Sequence, residues 1–396
     1  MRCYPFIYIT LLFFFSITFS SSAQIRKLQE TNLKYARLAI NTNKPKEALK
    51  YLEVLLNKNL TREGEMEVIA LLGKTYSILS LNDSCSNSEN HELCEQYVSS
   101  TFYWYEQILN TTDKEEIFHQ YTSAELERFY ENLLTRGVDE FLEENFTSSS
   151  FFFTQAYTIN NDDVVSCRYS MISNEFDGNY IRALTYSDRL LELKYDSTEV
   201  YESRAFYYEQ LQQPDLALKE VEDGLNKYPS QFSLIYRGVG ICVREKWYER
   251  ALRILEPYLD QNPFDNKTLI ATGMIYEQLG NDNKAIYCYT RAIIANEYSF
   301  DAYFNLGQIQ FRKAIQKQKL LVNWTQLKKK EKYKNVHKGD IKKTVKFYLE
   351  QCELNLRKAE NLDGENLEVI NTLRSTLVLL NKSKELKRID DTLESM

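Results

Sequence analysis

Four alanines, Ala183, Ala217, Ala251 and Ala285, recur strictly at i, i+34, i+68 and i+102, and this period restricts the fold more than any other feature of the chain. Around the last of them the pattern is fullest. Leu269, Gly273, Tyr276 and Gly280 precede Ala285, and Tyr289 and Ala292 follow it. Neighbouring copies carry Tyr201, Ala205, Tyr208, Ala217 and Pro229, then Ala251, Leu255 and Pro263. Apolar residues recur at helical spacing on both sides of a break, so each period reads as two helices, with the alanine opening the second. Pro229 and Pro263 fall where a unit ends, because proline cannot continue a helix and restricts the residue before it. Small residues at Ala205, Gly273 and Gly307, with the alanines opposite, are expected to let paired helices approach closely, with aromatic side chains filling the space between units.

This register resembles the tetratricopeptide repeat (TPR), a 34-residue helix-turn-helix unit. The resemblance is specific from about 164 to 310 and weaker on both sides. It implies an all-α fold, a right-handed superhelical solenoid of TPR-like helix-turn-helix repeats. In that family the first helices of successive repeats line a concave groove that takes an extended peptide or a partner helix, and the repeats have no catalytic residues of their own. Carried over by register, the partner-binding groove falls on Glu202, Phe206 and Glu209, then Tyr236, Arg237 and Arg244, then Lys267, Met274 and Glu277, then Phe304, Asn305, Gln308 and Phe311. Aromatic anchors mixed with charges of both signs suit a polypeptide. The simpler reading, that several of them only stack on neighbouring helices, stands beside it. The lysine, asparagine and arginine clamp of TPR co-chaperones is missing, since Glu202 and Glu209 occupy part of that surface. A chaperone tail is therefore not the expected ligand.

The flanks divide as follows. Residues 24–160 read as degenerate helical repeats. Leu33, Ala36 and Ala39 face Ala48, Leu52 and Leu55 across a turn at Pro45, then Leu72, Gly73 and Tyr76 await a partner helix at Phe102, Trp104, Tyr105 and Ile108. A polar insert, 81–96, delays that partner and holds Cys85 and Cys94, which are expected to form a disulfide in one flexible loop. Leu133, Gly137 and Phe141, followed by Ser149, Phe153 and Ala156, mark a further unit. Residues 161–310 are the well-matched repeats. Over 311–361 the two helices of a repeat read as lengthened into a hairpin, with a lysine-rich stretch from Lys328 to Lys343 and Gly339 near its tip. The simpler reading of that charge run is a solvated helix end. Two capping helices close the array over 362–396.

At the N-terminus, Arg2, an apolar run from Tyr4 to Phe19, and Ser21 and Ala23 have the order of a secretory signal peptide over 1–23, cleaved between Ala23 and Gln24. The alternative, an uncleaved anchor, asks for a run of roughly 20 residues. Removing the signal leaves 48 basic against 56 acidic residues, a net charge of −8. That balance argues against a nucleic-acid partner, which would want a basic face. Cys167, Cys242, Cys288 and Cys352 fall at helical positions and read as small buried thiols. The short signal and the long hairpin resemble those of exported TPR proteins of Gram-negative bacteria, which places the expected location in the periplasm or at the periplasmic face of the outer membrane. Seven Asn-x-Ser/Thr sequons, at Asn59, Asn82, Asn110, Asn145, Asn266, Asn323 and Asn381, are close to what chance produces in a chain rich in these residues and decide little.

Enzyme chemistry has no signature here. His91, His119 and His337 lie in unrelated contexts, and there is no HExxH, Cys-x-x-Cys, GxSxG or glycine-rich phosphate loop. No catalytic residue, metal or cofactor is expected. The leading reading is an exported, non-enzymatic scaffold for a protein or peptide. Two alternatives remain: an exported enzyme or glycan-binding protein on a helical-repeat framework, and a sensor or assembly subunit in peripheral contact with a membrane complex.

Overall fold

A computed structural model describes residues 6–329 and 335–395, with the side chains of 6–22 and 395 outside the description. The apolar side chains of the signal and part of the lysine-rich stretch, 330–334, therefore lie outside the described residues. Among the described residues every regular element is a helix, and no helix is long and apolar enough to cross a membrane. The chain is an all-α helical-repeat solenoid that divides into two compact units, Met1–Gln213 and Pro214–Met396.

In the first unit the helices are α1 (Phe6–Asn41), α2 (Pro45–Glu53), α3 (Arg62–Ser80), α4 (His91–Thr111), α5 (Ile117–Leu142), α6 (Phe146–Ile159), α7 (Val164–Phe176), α8 (Tyr180–Glu192) and α9 (Thr198–Gln210). In the second they are α10 (Pro214–Lys227), α11 (Phe232–Arg244), α12 (Tyr248–Gln261), α13 (Asn266–Gln278), α14 (Asp282–Ala295), α15 (Phe300–Val322), the short α16 (Trp324–Leu327), α17 (Lys338–Leu362), α18 (Leu367–Leu380) and α19 (Ser383–Ser395). The marker alanines, Ala183, Ala217, Ala251 and Ala285, are the fourth residues of α8, α10, α12 and α14, and all four are fully buried.

Helix starts repeat with the same period. Asp163 caps α7 and Asp265 caps α13 by accepting from backbone N–H groups two or three residues on. Asn179 and Asn281 cap α8 and α14 in the same way. Each such cap satisfies a donor that the helix cannot, worth about 1 kcal/mol. The turn inside each hairpin also repeats: Glu144, Gly178, Gln212, Lys246 and Gly280, which follow one another at the same i+34 interval, all have φ between 57° and 74°. A left-handed residue there stops the first helix and aims the chain back along it. The next position in the series is Ala314, which is buried inside α15. No turn forms there, so this hairpin runs on before returning through α17.

The paired helices meet through a glycine and a large side chain, most often a ring. A Cβ at Gly273 would lie 2.5 Å from the ring of Tyr289, one at Gly73 2.3 Å from that of Tyr105, and one at Gly137 3.0 Å from that of Phe153. Gly307 takes Leu356 in the same way, and Gly238 takes Ile254 and Val221. The nearest neighbour of each of these glycines on the second helix of its own hairpin is thus a large side chain. That partner stands at i+16 from its glycine in the regular hairpins, at i+32 where the insert intervenes and at i+49 in the long one.

The insert is ordered, contrary to the expected flexible loop. Asp83–Ser86 and Ser88–Asn90 form two 3-10 turns whose first N–H groups are capped by Asn82 and Asn87, and α4 begins at His91, so Cys94 belongs to a helix. A disulfide joins Cys85 to Cys94, both buried in one apolar cluster with Val98, Phe129, Leu133 and Phe152. Polar bonds pin the turn onto α5 and α6. Ser148 Oγ and Asn145 Nδ2 donate to the Ser86 carbonyl at 2.6 and 3.2 Å, and Arg136 reaches Ser86 Oγ at 2.6 Å and the buried carboxylate of Glu140 at 3.2 Å. A buried carboxylate is tolerated because it is paired and hydrogen-bonded on several sides.

Three alanine substitutions separate the roles of the glycines, read as shifts in denaturation midpoint. Gly273→Ala, against a ring, should destabilise by about 1–3 kcal/mol through overpacking. Gly280→Ala, with open space but φ of 70°, should cost about 1–2 kcal/mol through the backbone alone. Gly240→Ala, inside α11 with nothing within 4 Å, should stabilise by about 0.5–1 kcal/mol. Equal effects at Gly273 and Gly240 would refute the glycine–ring contact. Cys85→Ser with Cys94→Ser should destabilise the first unit by about 2–3 kcal/mol, the loop-closure entropy of so short a ring, and hydrogen exchange should then accelerate in α4 and α6. Unchanged protection there would show that the disulfide does not hold the insert.

Candidate functional site

The groove positions carried over by register do not form one uniform surface. On α9, in the first unit, Glu202 and Glu209 are half-buried, and Phe206 sits between the rings of Tyr180 and Tyr207 at 5.8 and 6.1 Å. In the second unit, Tyr236 on α11 is 40% exposed, with its ring 4.3 Å from that of Phe232. Burial and the nearby Asp265 carboxylate push its phenol above the ordinary value, against the Thr268 hydroxyl, which lowers it. Arg237 is half-buried and Arg244 exposed, while on α13 Lys267 is exposed and Met274 is 51% exposed.

Most of the remaining positions are engaged in holding the stack. Glu277 accepts from Tyr289 Oη at 2.6 Å and from Arg312 Nη1 at 2.9 Å, which ties α13 to α14 and α15. Gln308 Nε2 donates to Thr372 Oγ1 at 3.1 Å. Phe304 stacks on Phe300 at 5.8 Å, and both rings, with Phe311, pack on the cluster of Cys352, Leu356, Ile370 and Leu373. Asn305 is half-buried. In the second unit the open first-helix surface thus runs over Tyr236, Lys267 and Met274, while α18 packs over the α15 positions.

A second surface of the same kind lies in the first unit, where the register gave no groove positions. The first helices α1, α3 and α5 border a cavity of about 560 Å³ lined by Arg37, Ile40, Leu71, Lys74, Ile117 and Tyr121, among others. Ile117 is 82% exposed and Tyr121 38% exposed. The charges beside them are oriented: Arg37 pairs with Glu67, and Glu125, itself buried, holds Lys74 at 3.5 Å and Arg128 at 2.6 Å. The sequence signal is the pair Ile117–Phe118, apolar residues opening a helix directly after the acidic run Glu115–Glu116. A cavity of this size with apolar walls and a few fixed polar groups is a normal binding cleft. On the second-helix side of the second unit, a further cavity of about 730 Å³ is lined by Leu225, Pro229, Arg250, Ile254 and Tyr258, with Arg250 held by Asp215 at 2.8 Å and lying over the Trp247 ring at 4.6 Å.

The perturbed titratable groups serve packing. Burial raises the thiols of Cys242 and Cys288 to about 11 and those of Cys167 and Cys352 to about 12, which keeps them protonated and unreactive. Burial and a bonded carboxylate raise Tyr207, on Glu175 at 2.6 Å, and Tyr289, on Glu277. His91, stacked on Phe151 at 4.3 Å, is lowered by burial. No group of three or more potential metal ligands occurs among the described residues. What the open first-helix surfaces present is apolar contact flanked by fixed charges, an arrangement for binding.

No family model matches the chain, and no curated protein matches it. Among solved structures it is similar to MamA (12% identity, 42% of this chain and 92% of that one, TM-score 0.36). It is also similar to YrrB, described as a TPR protein with an unusual peptide-binding site (13% identity, 50% and 95%, TM-score 0.34). A third is a TPR repeats protein from Bacteroides fragilis NCTC 9343 (16% identity, 63% and 98%, TM-score 0.34). The TPR-like character of the fold rests on the chain's own periodic recurrence of caps, left-handed turns and buried alanines.

Proposed function

We propose that the protein is an exported, non-catalytic scaffold that binds a polypeptide through the first-helix faces of its hairpins. The observation that carries this reading is the cleft between α1, α3 and α5, where Ile117 and Tyr121 stand exposed beside the Arg37–Glu67 and Lys74–Glu125 pairs. Exposed apolar anchors next to charges already fixed in direction suit an extended chain, which offers side chains for the pockets and polar groups for the rim. Tyr236 and Met274 supply similar exposed anchors in the second unit. Export is supported by the signal-like N-terminus and by the buried Cys85–Cys94 bond, since stable disulfides persist in oxidising compartments. The compartment we propose is the periplasm or the periplasmic face of the outer membrane.

Two measurements test this. A photo-crosslinking residue placed at Tyr121 or Met274 in the native host should trap discrete polypeptides that are absent when the same residue replaces Tyr287, a 61% exposed position on the second helix α14. The same adducts at all three positions, or none that contain polypeptide, would overturn the groove assignment. N-terminal sequencing of the protein from its host should begin at Gln24. Material that retains residues 1–23 would overturn the cleaved-signal reading.

A further inference from the structure

The long hairpin is a built element rather than a frayed end. Beyond the Gly307–Leu356 contact, α15, α16 and α17 share a further cluster: Ala314, Trp324, Ile341, Val345 and Leu349 are buried together, with Leu321, Val336 and Tyr348 and, from α18, Leu379 and Leu380 against them. This cluster ties the described parts of the extension together, and the extension carries a concentrated charge. From 312 to 346 the sequence has 13 lysines and arginines against two acids, Glu331 and Asp340, whereas the remainder after residue 23 has 35 basic against 54 acidic residues.

The cations divide by position. At the base, Arg312 is held by Glu277 and Asp282 at 2.9 and 2.7 Å, and Lys313 by Asn283 at 3.1 Å. Toward the tip, Lys319, Lys328, Lys329, Lys338, Lys342 and Lys343 are exposed, and none makes an ion pair with a described residue. Val322, among them, is 81% exposed.

We infer that this hairpin docks the protein tip-first onto an anionic lipid surface. The chemistry favours lipid over an acidic protein. Every tip cation named is a lysine, a compact hydrated charge, and not the planar arginine fork that recognises a carboxylate of fixed position. The lysines named lie on α15, just after α16 and on α17, so they present charge over an area rather than at one point. Clustered lysines of this kind respond to the summed potential of headgroups, and each adds to the attraction as it comes within a Debye length of the surface. Val322 adds an apolar contact at the headgroup boundary. The acidic remainder of the chain is repelled by the same surface, so charge alone selects the hairpin as the part that approaches it.

The test uses protein purified from its native host and two kinds of vesicle, phosphatidylcholine alone and phosphatidylcholine mixed two to one with phosphatidylglycerol. The expected result is binding to the anionic vesicles only, weakened by raising salt and reduced on the order of 1,000-fold when Lys328, Lys329, Lys342 and Lys343 are all changed to Gln. A control with Lys34, Lys46, Lys50 and Lys58 all changed to Gln removes the same net charge elsewhere and should bind as the unsubstituted protein does. Unaltered melting of both variants establishes that they fold. Failure to bind anionic vesicles, or equal loss in the two variants, would overturn the inference. Salt-sensitive self-association that only the tip variant loses would assign the hairpin to a second copy of this chain and would overturn it as well.

Discussion

The contact on which much of the structure depends is the large side chain laid on a glycine inside five of the hairpins. Tyr289 on Gly273, Tyr105 on Gly73, Phe153 on Gly137 and Leu356 on Gly307 bring two helices closer than any side chain at the glycine would allow. The gain is the burial of most of a large side chain; the cost is a flexible residue in mid-helix, about 1 kcal/mol. Because both partners belong to one hairpin, each of these hairpins carries its own closing contact, and neighbours are added by stacking. Additions are tolerated wherever this contact survives them. The insert with its disulfide and the long hairpin with its separate cluster both lengthen the path from glycine to partner and leave the contact in place.

The period made the helices α7 to α14 legible, because alanines, prolines and aromatic residues return there at fixed spacing. Three of the five turns in the i+34 series left no mark. Glu144, Gln212 and Lys246 are left-handed without being glycine, and only Gly178 and Gly280 announce the conformation by residue type. The order of the insert was hidden for a different reason: Asn, Ser and Asp read as a loop by composition, yet here the same side chains cap the turns and bond to α5 and α6.

The candidate site was less legible than the fold. Tyr236, Lys267 and Met274 lie on open surface because their repeats are regular and the register transfers. Phe304, Gln308 and Phe311 occupy equivalent positions, but α18, the first of the two capping helices, packs on them after the lengthened hairpin. The cleft between α1, α3 and α5 was marked in the sequence only by Ile117–Phe118, since its walls come from three segments far apart in sequence where the insert breaks the register.

A chain whose closing contacts are this local can fold in the order in which it is delivered. Once the partner at i+16 has followed its glycine out of a ribosome or a translocation pore, a regular hairpin can make its closing contact, and contacts of short sequence separation form fast. Cys85 and Cys94, with a sequence separation of 9, can join before α5 exists. The long hairpin is the exception. Gly307 must wait for Leu356, three times as far along the chain, so α15 is the helix whose apolar face stays uncovered longest and the one most in need of protection while the chain is being made.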